Sequence, residues 1–295
     1  MSRFLLLFST LLSSFAYAEQ RPFVVGELQY ELGNQMYQIA AVTAAALDNG
    51  YDAYFPHLKH QPNQWWGLSD NYKYVFWRVN GDQPPGEVEH IYHEQGANFS
   101  IPVKPSMLIK GYYQNEKFFT HRKKEILELF APSQEMLNYL QQKYPEILAH
   151  PCSVGIHVRT YIKDYGHIPR KDEFHAFPGV GYYERAVSLF PEDSLFFICS
   201  DRIDWCKTYL LHIAKNIIFI EGNPHTHDFY LLTLCKHNII TNSTFSWWAA
   251  YLNPNPNKIV VTPDQWFGRW SHDATAKFLL DDWICVPTDE HSFGE

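Results

Sequence analysis

From about residue 150 the chain alternates short apolar runs with segments of helical periodicity, and few folds accept that pattern. The apolar runs are Val154 to Val158, Leu195 to Cys199, Ile217 to Ile220, Asn238 to Thr241 and Ile259 to Val261. Helical patterns fall between and after them at 181–190, 203–214, 227–237 and 243–252. Strands alternating with helices imply a parallel sheet covered on both faces, with ligands at the C-terminal strand ends.

The first half reads less regularly. Phe23-Val24-Val25 suits a strand, and Leu32-Gly33-Asn34-Gln35 opens a helix in which Met36, Ile39, Ala40, Thr43, Ala44 and Leu47 share one face. Gly50 closes that helix and Tyr51 to Phe55 returns as strand, completing a βαβ unit. Gly33 at the helix start admits a ligand or a facing loop close to the backbone, although a plain turn role fits equally. Residues 56–105 are irregular, with Pro84, Pro85, Pro102 and Pro105 among Trp65, Trp66 and Trp77. Such a stretch is a candidate acceptor surface or a packed insertion. Leu108 to Gln114 reads as strand plus turn, followed by helical segments at 115–129 and 133–143 ending at Pro145. The expected organisation is an α/β unit over 20–145, a second over 150–270 and a capping tail over 271–295.

An apolar fraction of 46% and an aromatic fraction of 17% are ample for packed cores, and a net charge of −8 argues against nucleic acid as a partner. Cys152, Cys199, Cys206, Cys235 and Cys285 are odd in number and lack zinc-like spacing, so buried thiols are expected, with one disulfide open if the chain is exported. Arg3, the apolar run Phe4 to Phe15 and Ala16-Tyr17-Ala18 read as a secretory signal peptide over 1–18, cleaved after Ala18. A short uncleaved anchor is the alternative. The chain is thus expected to be exported or membrane-associated, with at most peripheral contact beyond that segment.

Residues leaving the second-half strands are polar and of one kind. His157 and Arg159 follow the first, Ser200 and Asp201 the second, and Asn242, Ser243 and Thr244 the fourth. The turn at 242–244 feeds a helix with Phe245, Trp248 and Leu252 on one face, and Asn242 or Ser243 is suited to cap it. A helix N-terminus of this kind, with hydroxyls from Ser243, Thr244 and Ser246, favours a phosphate. An ordinary capped core helix is the competing interpretation, and a glycosylation sequon at Asn242 is disfavoured by its place at a strand end. Arg159 opposite that turn can fork onto a diphosphate. Asp201 is an acceptor-only group suited to the N1–H and 2-amino edge of guanine, or to a helix N-cap. No Asp-x-Asp, no GxxxxGK[ST] and no GxGxxG after a strand is present, which points to a nucleotide-sugar enzyme without metal.

Five motifs in order then resemble the glycosyltransferase family of the α-1,2-fucosyltransferases. They are Leu32-Gly33-Asn34-Gln35-Met36-Tyr37-Gln38, Gly111-Tyr112-Tyr113-Gln114-Asn115-Glu116-Lys117, His157-Val158-Arg159, Ser200-Asp201 with Trp205-Cys206-Lys207, and Asn242-Ser243-Thr244-Phe245-Ser246-Trp247-Trp248. The resemblance implies a GT-B-like fold of two Rossmann-like domains, GDP-fucose as donor, a galactose-terminated glycan as acceptor, inversion, and no metal or other cofactor. Carried over by position, Arg159 contacts the diphosphate, His157 supports the nucleotide or reacting sugar, and Asp201 reads guanine. Ser243, Thr244 and Phe245 hold the phosphates, while Gly33 and Asn34 close the donor site.

One departure stands out. The family continues His-x-Arg with Arg-Gly-Asp-Tyr, whereas this chain has Thr160-Tyr161-Ile162-Lys163-Asp164-Tyr165, and Arg202 replaces the acidic residue after Ser-Asp. For the acceptor hydroxyl, Asp164 and His167 are the candidate bases. A related transferase of another linkage, or a carbohydrate-binding protein without turnover, are the competing readings.

Overall fold

Phe23–Gly26 is buried along its whole length and forms β1, an inner strand of a four-stranded parallel sheet. The computed structural model describes residues 21–60, 68–95, 99–170, 173–268 and 275–289. The segment read as a signal peptide, together with Trp65 and Trp66, lies outside the described residues. Among these, no helix is long and apolar enough to cross a membrane.

The first sheet has the order β2 (Asp52–Tyr54), β1, β4 (Met107–Lys110), β3 (His90–His93), with every pairing parallel. Helix α1 (Leu32–Asn49) crosses from β1 to β2 and stops at Gly50, whose left-handed φ of 69° lets its N–H reach the last carbonyls. Short helices α2 (His57–His60) and α3 (Leu68–Tyr74) follow, then α4 (Lys123–Leu129), α5 (Gln134–Lys143) and α6 (Glu146–Ala149). Strand β3 escaped the sequence reading because its exposed edge position leaves it polar. The helix expected over 115–129 is instead two 3-10 turns, Glu116–Phe118 and Thr120–Arg122, before α4. Phe119, at φ −141°, breaks the helix so that its ring can stack on Trp248 at 5.2 Å.

The second sheet has the order β10 (Ile284–Val286), β9 (Val260–Pro263), β8 (His237–Ile239), β5 (Ser153–Val158), β6 (Leu195–Ser200), β7 (Ile217–Phe219), again all parallel. Its helices are α7 (Ile162–Tyr165), α8 (Val180–Val187), α9 (Ile203–Tyr209), α10 (His225–Leu234) and α11 (Thr244–Leu252). Strand β10 comes from the stretch read as a capping tail, so that stretch extends the sheet. Helix α10 starts two residues before the expected 227 because Pro224 occupies its N-cap. All five cysteines are free thiols.

The two sheets share one apolar cluster. Tyr37 on α1 lies 4.9 Å from Trp247 and 5.1 Å from Trp248 on α11, ring centre to ring centre. All three are fully buried with Phe119 and Phe130 in the same cluster. Packing of α1 on α11 therefore fixes the cleft between the sheets, and both helices begin at that cleft.

Candidate active site

The cleft is a cavity of about 480 Å³ lined from both sides. One wall is the start of α1, residues Glu31 to Asn34, and the other is the C-terminal edge of the second sheet. Of the residues singled out from the sequence, Gly33, Asn34, His157, Arg159, Asp201, Ser243, Thr244 and Phe245 all line it. Asp164 and His167 do not.

Gly33 lies so near α11 that a Cβ there would sit 2.5 Å from the Thr244 carbonyl carbon and 2.6 Å from the Phe245 nitrogen. Backbone cannot yield to a side chain at that distance, so glycine is required for the approach of the two helix starts. Asn34 accepts a hydrogen bond from Gln114 Nε2 at 2.5 Å, which ties the α1 start to the turn after β4.

At the opposite wall, Ser243 is the N-cap of α11, yet its side chain makes no capping bond. Asn242 does not cap either. Its amide donates to the Ala176 and Trp266 carbonyls at 2.5 and 2.9 Å, clamping two loops beneath the turn. Tyr161 and Tyr182 donate to the Asn242 and Ile240 carbonyls, each at 2.6 Å. The strand-to-helix turn is thus held from below while Ser243, Thr244 and the first-turn N–H groups are left for the cleft; the Ser246 hydroxyl is buried and donates to the Thr241 and Ser243 carbonyls instead. Buried Asn242 is no glycosylation acceptor.

Arg159 is fixed by two carboxylates, with Nη2 2.7 Å from Asp164 Oδ2 and Nη1 3.5 Å from Asp201 Oδ2. Burial opposes its charge, but Asp201, Asp164 and Glu31 outweigh that and raise its pKa. Asp164 therefore acts on Arg159 and stands outside the cleft, and His167 bonds Glu173 at 3.0 Å instead. Asp201 is not a helix cap; α9 starts after Arg202. Its Oδ1 accepts the Thr160 N–H at 2.8 Å and its Oδ2 the Thr160 hydroxyl at 3.0 Å. Thr160, the residue at the altered family position, has become the partner of Asp201.

His157 is buried, and its Nδ1 has no hydrogen-bond partner. Burial pushes its pKa down to about 3, Asp201 opposing and Arg159 assisting, so the ring is neutral at pH 7. It packs on Phe245 with ring centres 4.9 Å apart.

The sequence reading did not single out Glu31, Lys163, Asn223, His225 or Asp228, all of which line the cleft, but the last three, around the start of α10, had left a trace. The signal was Asn223-Pro224-His225-Thr226-His227-Asp228, a polar run with a proline at a helix start. Asp228 Oδ1 accepts from Asn223 Nδ2 at 3.0 Å, and burial lifts its pKa to about 6 against Asn223 and Lys143. Among the described residues no group of three His, Cys, Asp or Glu side chains is arranged to hold a metal.

The sequence model of glycosyl transferase family 11 matches residues 86–286. The chain belongs to that family. An α-1,2-colitosyltransferase of Escherichia coli is 32% identical over 173 residues, 57% of this chain and 58% of that protein. The O-antigen biosynthesis glycosyltransferase WbnK of Escherichia coli is 27% identical over 66% of each chain. The match therefore spans less than two thirds of either relative's length. Galactoside α-(1,2)-fucosyltransferase 2 of Mus musculus is 27% identical over 88% of this chain and 76% of its own. Among solved structures, the α-1,6-fucosyltransferase NodZ soaked with GDP-fucose aligns with a TM-score of 0.54 at 12% identity, over 81% of this chain and 97% of that one. NodZ from Bradyrhizobium aligns at 0.52 and 12%, over 78% and 92%. At such identity the likeness speaks for the fold, an α/β, GT-B-like arrangement of parallel sheets that this family member shares.

The Asp228 carboxyl has a folded pKa above its unfolded value of 3.8, so its stabilising protonated form is lost as pH rises through about 6. Asp228→Asn should therefore melt higher than wild type at pH 7.5, by on the order of 2 kcal/mol, with the gain fading towards pH 4. Thermal melts at both pH values check it; a gain equal at both would make it a packing effect.

Proposed function

We propose that the chain transfers L-fucose from GDP-β-L-fucose to a glycan hydroxyl, the 2-OH of a terminal galactose, with inversion and without a metal. The observation that carries this reading is Arg159 facing the α11 start, left without a side-chain cap, inside one cleft. The two sheets correspond in this reading to two Rossmann-like domains, about 20–145 on the acceptor side and 150–270 on the donor side.

In the reaction the bond between the fucose anomeric carbon and the β-phosphate oxygen breaks, and its electron pair leaves with GDP. The acceptor oxygen bonds the opposite face of that carbon, and its proton passes to solvent, since neither Asp164 nor His167 lines the cleft. Negative charge grows on the diphosphate, so preorganised donors there act most strongly in the transition state. Arg159 has five N–H donors, and its two carboxylate partners leave others free for phosphate oxygens. The hydroxyls of Ser243 and Thr244 and the backbone at Phe245 hold the phosphates, with bare Gly33 and Asn34 closing the site. His157, neutral at pH 7, lines the cleft beside the nucleotide or the sugar without adding charge.

For guanine, Asp201 was the candidate from sequence, but both its oxygens already accept from Thr160. Asp228 is the more open carboxylate in the cleft, with Asn223 on one oxygen. We assign it the N1–H and 2-amino edge and give Asp201 the task of holding Thr160 and Arg159. A second reading keeps the site and changes the sugar, since the 32% identical relative is named a colitosyltransferase.

The deciding experiment incubates the protein and a β-galactoside with GDP-fucose or GDP-colitose in EDTA, with linkage analysis of the product. An α-1,2-fucoside is expected; colitosyl transfer alone favours the second reading, and activity only after added Mn²⁺ or Mg²⁺ removes the metal-free mechanism. Arg159→Ala should lower kcat about 100- to 1000-fold with a smaller loss of GDP affinity, and Arg159→Lys should recover part. An unaltered kcat in a folded Arg159→Ala protein takes Arg159 out of the reaction. Asp228→Asn should lose the preference for GDP over IDP, which lacks the 2-amino group; a retained preference returns guanine to Asp201.

A further inference from the structure

Two tyrosines close in the chain to residues of the cleft wall stand out because they are large and half in solvent. Tyr30 is 47% and Tyr112 41% exposed, and their rings stack with centres 5.5 Å apart at 29°. Exposed aromatic area has no use to a monomer's core, and a stacked pair beside a pocket is a surface on which an apolar face can lie.

Both rings are tied to the cleft wall. Tyr30 immediately precedes Glu31, the lining residue at the N-cap of α1. Tyr112 stands two residues before Gln114, whose amide bonds Asn34 in the cleft. The backbone that carries them is held in unfavourable conformations. Tyr30 has φ 63° and Tyr113 φ 51°, left-handed values that a bulky residue adopts only when its surroundings enforce them.

The enforcing contacts are specific. Glu94 Oε2 accepts the N–H groups of Tyr112 and Tyr113 at 2.8 and 2.9 Å. On the other side a buried chain reaches Tyr30: Gln35 Nε2 donates to the Tyr30 carbonyl at 2.5 Å, and Asn71 Nδ2 donates to Gln35 Oε1 at 2.8 Å. Asn71 Oδ1 lies 2.7 Å from Nε2 of His225, which itself lines the cleft. Strain held in place at a site of this kind is a mark of function. The same relay also joins the donor wall to the rim.

We propose that the Tyr30–Tyr112 pair is the platform on which the acceptor's terminal hexose rests, its apolar face against the rings and its reactive hydroxyl turned into the cleft. This rests on the reading of the cleft as a donor-sugar site. A neutral hexose suits the pair, because aromatic faces cover its C–H surface while the ring hydroxyls stay in water.

The test uses the full protein with saturating GDP and p-nitrophenyl β-galactoside as probe, read by saturation-transfer NMR and by the acceptor KM. The variants are Tyr112→Ala, Tyr112→Trp and Tyr30→Asn, the last chosen because asparagine tolerates the left-handed backbone. Removing one aromatic contact should raise the galactoside KM about tenfold, while Trp at 112 should keep it near wild type. GDP affinity, measured by calorimetry, should stay unchanged in all three and vouch for their folding. Equal galactoside binding in Tyr112→Ala and Tyr30→Asn overturns the platform. Wild-type protein that binds GDP but not the galactoside overturns the hexose assignment. Absence of GDP binding to wild type sinks the donor reading itself, and the platform with it.

Discussion

The close approach of two helix starts is the constraint on which the site depends. Gly33 lets α1 come within backbone distance of Thr244 and Phe245, and that contact places one wall of the cleft against the other. Behind it, Tyr37 wedges between Trp247 and Trp248, so the approach is backed by buried aromatic area. The cavity exists because the packing stops at Gly33. Donors at the start of α11 then face a space rather than a side chain.

Charge in that space is arranged more tightly than the motifs suggest. Arg159 is one cation there, beside Lys163, and Asp164 and Asp201 hold it at a set angle. Thr160 takes up both oxygens of Asp201, which anchors the end of β5 to the end of β6. His157 stays neutral through burial, so it adds a polar atom without competing with Arg159 for an anion. Asp228 is a largely buried carboxylate in the cleft wall, and burial raises its pKa to about 6.

Much of this was legible in the sequence wherever an element is buried and regular. The apolar runs located β5 to β9, and the residues just past them gave His157, Arg159, Asp201 and Ser243, because parallel strand ends converge by construction. What escaped has physical causes. Strand β3 is an exposed edge with no apolar face to show. Asp228 sits one helical turn inside α10, where a carboxylate reads as first-turn charge balance. Asp164 and His167 were candidate bases by proximity in sequence, but α7 turns Asp164 onto Arg159 and leaves His167 to Glu173. Which carboxylate is already bonded is a matter of side-chain partners that no spacing encodes.

The shared aromatic core has a consequence for how such proteins can be recombined. The first sheet's helix α1 and the second sheet's helix α11 are buried in one cluster, with Phe119 and Phe130 entering from the chain that joins the halves. A junction cut between the sheets would separate Tyr37 from Trp247 and Gly33 from Thr244. The halves are therefore co-adapted parts, not interchangeable modules. A chimera that borrows a first half from a distant relative inherits a mismatched seam at its centre, where the ring-to-ring fit joins the two sheets.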